Sequence, residues 1–190
     1  ARNIEGLRHR LAAVIELGIV ISAVLSVLSV IYLPQALVLM KTDEVIIADC
    51  LKYGTIIFGG LATNICYNLS GAVLRALGDS KTPLKAIVVS SILNITLNAL
   101  FIFQMGMGVE GVAYATIIAQ IVSGIFCLNR LRKIEVVRLK REHFINERKE
   151  YLDLLKNGLP MAFMNSITAV GCMVVQFFVN SYGVVYTAAY

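Results

Sequence analysis

The chain has 190 residues, 58% hydrophobic and 15% charged, with a mean hydropathy of +0.77. That balance excludes a disordered segment and an ordinary soluble domain, which carries about 25% charge. A net charge of +5 and a pI near 9.1 would suggest nucleic acid in a soluble protein. Here membrane insertion accounts for the cations, so no nucleic-acid partner is expected.

The charges are segregated. Uncharged runs at 17–40, 53–74, 86–109, 111–129 and 157–190 each supply the roughly 18 to 20 apolar residues that cross a bilayer core. The expectation is an all-α integral membrane protein with five transmembrane helices, the lipid bilayer its surroundings. The chain opens at Ala1 and closes at Tyr190 inside an uncharged run, which reads as an internal fragment of a longer protein.

In chain order, the connections at 1–10, 75–85 and 130–156 hold 15 of the 17 Lys and Arg, against two at 41–52 and none at 104–108. The three basic connections are therefore expected in the cytoplasm, and 41–50 and 104–110 outside. Tyr32, Tyr53, Tyr114 and Tyr182 fall near outer ends and Tyr151 near an inner one, as rings that favour the headgroup level should. Only Tyr67 sits deep in a span.

Turn chemistry agrees. Gly78 reads as a helix stop, followed by Thr82 as N-cap and Pro83 at the first helical position. Asn157-Gly-Leu-Pro160 reads as the opening of the fifth span, and Pro34 lies near the outer end of the first. The polar stretch 130–156 carries apolar residues among its charges (Ile134, Val137, Phe144, Ile145), which fits either an amphipathic helix on the inner surface or a solvated linker.

Some residues carry no chemistry in this reading. Cys50, Cys66, Cys127 and Cys172 stand singly and serve packing. His9 and His143 have no second ligand at helical spacing, so no metal site or cofactor is expected, and the sequons at Asn68 and Asn94 fall inside spans.

Glu16, Asp49 and Glu110 sit at span edges, and no carboxylate lies mid-span. Instead the spans carry neutral polar residues at fourfold spacing, each set on one helix face. The second span shows Gly60, Asn64, Asn68 and Ala72, the third Ser90, Asn94 and Asn98, and the fourth Val112, Thr116, Gln120 and Gly124. The fifth shows Thr168, Cys172, Gln176 and Asn180, while the first has only the small face Gly18, Ser22 and Ser26. Amides can be interhelical glue, but four stripes together favour a hydrated cavity, with Asn64, Asn68, Gln120, Gln176 and Asn180 lining it. With an outer turn near 105–109, Asn98 and Thr116 each lie about seven residues in, roughly 10 Å, so their oxygens are expected at one level.

The stretches Leu74-Arg-Ala-Leu-Gly-Asp-Ser-Lys-Thr-Pro-Leu84, Asn94-Ile-Thr-Leu-Asn98 and Gly106-Met-Gly-Val-Glu-Gly-Val-Ala-Tyr-Ala-Thr116-Ile-Ile-Ala-Gln120 resemble the multidrug and toxic compound extrusion (MATE) family, in its DinF-like bacterial branch. Gly158-Leu-Pro160 with Asn165-Ser-Ile-Thr168 resembles the entry to the second half of such proteins. The resemblance implies a twelve-helix, two-lobe pseudo-symmetric transporter, monomeric at full length, in the plasma membrane. Residues 1–129 would be helices three to six of the N-terminal lobe, 130–156 the cytoplasmic connection between lobes, and 157–190 helix seven.

It further implies H+ or Na+ coupled antiport of small organic, often cationic, drugs by alternating access. The family's ion-coupling residues on helices five and six map to Asn94, Asn98 and Thr116, with a further Asp on helix one. This chain has an amide at 98 where that branch has Asp, and no acidic residue near 165–168. The competing readings are a lipid-linked oligosaccharide flippase of the same superfamily and a non-transporting membrane scaffold. No nucleophile, base and metal-ligand set shares a face, so an enzyme is not expected.

Overall fold

A computed structural model describes residues 4–144 and 148–182. Parts of the regions read from sequence, namely 1–3 of the basic start, 145–147 of the linker and 183–190 of the fifth run, lie outside the described residues. Among those described, the chain is helical: α1 Ile4–Leu39, α2 Glu44–Gly59, α3 Leu61–Ala76, α4 Lys81–Ala99 continued by a π-helical turn Leu100–Gln104, α5 Gly108–Leu131, two 3-10 turns at Glu135–Val137 and Arg141–Phe144, and α6 Arg148–Ser181. Among the described residues four helices are long and apolar enough to cross a membrane, and α2 with α3, bent by 48° at Gly60, meets the same length and hydropathy requirement as a pair.

The second span, expected from the uncharged run 53–74, is thus a bent pair of helices. At roughly 1.5 Å per residue neither α2 nor α3, of 16 residues each, reaches across a core about 30 Å thick. Together they do, and helix also begins earlier than expected, at Glu44. The break sits at Gly60 because α5 needs the room: a Cβ there would stand 2.5 Å from Ile117 Cδ1 and 2.8 Å from its Cγ1. In a bilayer a broken helix must have its backbone groups answered by neighbouring protein. Ser26 of α1 donates to the Phe58 carbonyl at 2.6 Å, and Thr63 closes the next turn through its N–H to the Gly60 carbonyl.

α5 is the centre of the bundle, packed against α2, α3 and α4. Its buried positions are Gly111, Ala113, Ala115, Ala119, Ser123, Gly124 and Cys127, small residues that let helices approach closely where no hydrophobic drive exists between them. Large apolar side chains point outward instead, such as Val27 and Ile31 on α1, Ile92 and Ile95 on α4, and Met161 and Ile167 on α6. Bare apolar faces of this kind are what lipid solvates.

The ends of the helices sort as the cation count requires. Arg130 at the end of α5 pairs with Asp79 in the α3–α4 turn at 2.9 Å, and Arg8 of α1 donates to the carbonyls of Glu135 and Val136 at 2.9 and 3.2 Å. The three basic connections thus share one end of the bundle. At the other, Lys52 of α2 meets Glu110 of α5 at 3.2 Å.

Three local expectations are corrected. Gly78, with φ of +88°, does end α3: Asp79 N–H reaches the Leu74 carbonyl and Gly78 N–H that of Arg75, a Schellman closure. The cap of α4, however, is not Thr82. The Asp79 carboxylate accepts from the Thr82 N–H at 3.0 Å and its hydroxyl at 2.8 Å, and the helix starts at Lys81. Nor does Pro160 open a helix, because α6 runs through it from Arg148. Finally, 132–144 forms no surface helix: most of it is exposed, but it folds back on α1, with Val137 and His143 buried.

Candidate functional site

The polar stripes become two short ladders that meet on α5. On one side, the Asn94 amide of α4 donates to the Thr116 hydroxyl at 3.4 Å, and Asn98 donates to the Asn94 side-chain oxygen at 3.1 Å. Thr116 itself donates back to the Val112 carbonyl at 2.9 Å. One turn further along α5, Gln120 faces α3 and accepts from the Thr63 hydroxyl at 3.1 Å. Asn64 and Asn68 stay on α3, where the Asn68 amide donates to the Asn64 side-chain oxygen at 2.8 Å and to its carbonyl at 2.9 Å.

Asn94, Asn98 and Thr116 are therefore in contact, but not in the register that residue counting gives. Thr116 meets Asn94, and Asn98 lies one turn nearer the outer end. Part of the difference lies in the π-helical turn immediately after Ala99, closed by Met105 N–H to the Leu100 carbonyl. A turn closed i to i+5 takes up an extra residue, so counting along α4 misjudges depth there. The tight return is made by Gly106 and Gly108, both at positive φ, while Gly111 lets the two arms touch, since a Cβ there would lie 2.9 Å from Phe101 Cβ.

The chemistry of this cluster follows from its satisfaction. The Asn98 side-chain oxygen is buried and accepts no hydrogen bond. An unanswered acceptor in apolar surroundings is unfavourable, and what it lacks is a donor or a positive charge. The cluster offers amide and hydroxyl oxygens and no carboxylate of its own.

Gln176 and Asn180 take a different place. The Gln176 amide donates to the Asn180 side-chain oxygen at 2.7 Å, and Asn180 donates to the Met40 carbonyl at 2.8 Å, at the outer end of α1. Lys41 lies 4.8 Å above the Phe177 ring beside them. These bonds fasten α6 to α1 rather than joining the α4–α5 ladder.

The five expected lining residues are thus spread over α3, α5 and α6, in separate hydrogen-bonded groups. Two clefts, of about 810 and 740 Å³, open toward the basic end of the bundle and are lined by neither these amides nor Asn94, Asn98 and Thr116.

Sequence reasoning passed over Thr63, placed Ser26 only on a small packing face, and gave His143 no role. Thr63 sits beside the Asn64 stripe and could have been found as its neighbour three residues after Gly60. His143 had a weaker signal, the apolar residues around it in a charged segment.

Comparison with known proteins gives a consistent result. The MatE family model matches residues 1–100. The chain is 37% identical to the "Probable multidrug resistance protein YpnP" of Bacillus subtilis (strain 168), over 76% of this chain and 32% of that protein. It is 30% identical to the "Probable multidrug resistance protein YoeA" of the same organism, over 100% of this chain and 43% of the relative. Among solved structures it resembles an inward-facing conformation of a multidrug resistance MATE family transporter of the MOP superfamily, with a TM-score of 0.81 at 26% identity over 95% of this chain and 41% of that one. It also resembles an outward-facing conformation so described, with a TM-score of 0.79 at 25% identity over 95% of this chain and 40% of the other. The chain thus spans from about a third to two fifths of the length of these proteins.

Proposed function

The chain belongs to the MatE family, whose members are membrane transporters and not enzymes, and from that premise we propose that it forms part of a multidrug exporter driven by H+ or Na+ antiport. Small organic, chiefly cationic, compounds are its cargo in this reading, and alternating access in the plasma membrane is its mode of action. The full-length protein acts as a monomer.

The observation that carries the proposal is the Asn94, Asn98 and Thr116 cluster with its unanswered Asn98 oxygen. A cation entering there would meet neutral oxygens already gathered on two helices. An all-neutral site cannot by itself offset the desolvation of a bound charge, so the compensating carboxylate comes from the Asp that the resemblance puts on the family's first helix. Likeness to both inward- and outward-facing structures at nearly equal TM-score supports a mechanism in which this packing is carried largely intact through the cycle. The MatE match favours an exporter of drugs over a flippase or a scaffold.

The test is drug efflux from cells carrying the full-length protein with Asn98→Leu or Asn98→Asp. Asn98→Leu is expected to impair coupled efflux while insertion is retained, and Asn98→Asp to preserve efflux with a shifted pH dependence. Unchanged efflux with Asn98→Leu removes the cluster from the mechanism.

A further inference from the structure

The larger cleft has a shape and polarity that the transport reading does not use. It lies between α1, α3 and α5 and is bounded at its mouth by the linker residues Val137, Arg138 and Leu139. Its α1 wall runs from Leu11 to Ser22 and its α3 wall from Ala62 to Val73. Each wall is eleven residue steps, or about 16 Å at 1.5 Å per residue. That is close to half of a hydrocarbon core about 30 Å thick, the depth of one leaflet.

The lining is apolar over that depth, and its charged members are Arg132 and Arg138, with no carboxylate among them. Both arginines are exposed. Arg132 directly follows the last residue of α5, and Arg138 follows a 3-10 turn anchored by buried Val137. They therefore sit where the apolar run stops, at headgroup level on the basic end. An apolar slot one leaflet deep, with two cations at its mouth, is complementary to an amphiphile whose head is negative. An organic cation would be repelled there. A zwitterionic lipid would bring its own ammonium group to the arginines.

We propose that this cleft is a binding site for an anionic phospholipid of the inner leaflet, one acyl chain lying between α1 and α3 and the phosphate held by Arg132 and Arg138. Basic pockets between transmembrane helices on the cytoplasmic side hold anionic headgroups by this chemistry. The proposal rests on the orientation of the basic end and not on which ion or drug is transported.

The test uses the full-length protein in phosphatidylcholine vesicles doped with a photoactivatable phosphatidylglycerol or, in a parallel arm, a photoactivatable phosphatidylcholine with the same acyl chains. Adducts are mapped by peptide mass spectrometry. The expected result is phosphatidylglycerol adducts on 11–22 and 62–73, reduced about twenty-five-fold in apparent affinity by the double change Arg132→Gln and Arg138→Gln, from about a fivefold loss per headgroup-level cation. The double change Arg132→Lys and Arg138→Lys should retain them, and Gly18→Leu, which fills the slot without touching the cations, should abolish them. Equal adducts from both lipids, or no loss with the Gln pair, would overturn the proposal. So would the absence of cleft adducts because another segment of the full-length protein occupies the slot.

Discussion

His143 Nε2 lies 2.9 Å from Glu5 Oε2, joining residues 138 positions apart in the chain. The imidazole is only 1% exposed, while the Glu5 carboxylate is 65% exposed. Because His143 Nδ1 accepts from the Lys140 N–H at 2.8 Å, Nε2 carries the proton and donates to Glu5. That hydrogen bond, helped by Arg8, holds the Glu5 carboxyl below the usual carboxylate range in the charged turns of α1 that precede the first apolar run. With Arg8 bonded to Glu135 and Val136 and His9 edge-on to His143 at 5.3 Å, the linker is clasped to α1.

His143→Ala should release that clasp. Losing a buried ring and stranding the Lys140 N–H should destabilise the linker by about 2 kcal/mol. Hydrogen exchange across 132–144 is the readout, and it should accelerate while exchange in α4 and α5 stays unchanged. Protection left intact in the linker would show that the histidine is not what holds it.

Asp79 supplies a pH dependence. Arg130, and after it the Thr82 hydroxyl and N–H, hold its carboxyl down to about 2 from the ordinary 3.8. The folded value is the lower one, so the interaction is fully present at neutral pH, begins to fade as pH falls below about 4, and is lost toward about 2. Opening of the 75–83 turn, followed by hydrogen exchange through an acid titration, should show this limb in the wild type. In Asp79→Asn the limb should be absent and the turn already loosened at pH 7. A limb that persists in the variant would assign it to another group.

Gly60→Ala tests the bend. The added methyl would meet Ile117 too closely for either side chain to absorb without movement, so a loss of about 1 to 3 kcal/mol is expected, the usual cost of overpacking. Ile117→Val in the same protein should restore part of it. If Gly60→Ala leaves the detergent melting temperature unchanged, the bend has another cause.

Topology can be checked at Lys140, whose side chain is exposed in the linker. In a full-length protein cleared of Cys50, Cys66, Cys127 and Cys172, Lys140→Cys should react with an impermeant thiol reagent in inverted vesicles and not in sealed right-side-out cells. Thr42→Cys, in the turn between α1 and α2, should show the opposite pattern. Labelling of position 140 from outside would invert the orientation.

The sequence alone determined where the spans lie and which connections share an end, because both depend on the chain's own content: runs of apolar residues long enough for a bilayer, and cations gathered in alternate connections. It also told that Asn94, Asn98 and Thr116 belong together, since fourfold spacing puts each set on one face and the connection between them is short. Only the tertiary structure decided how they meet. Thr116 lies against Asn94 rather than level with Asn98, and Ile117 fills the space beside Gly60 where the second span bends. His143 was drawn out of a charged segment by Glu5, 138 residues away in sequence. Each outcome depends on a side chain from a distant part of the chain filling or demanding space. Periodicity along one helix carries no record of such a partner.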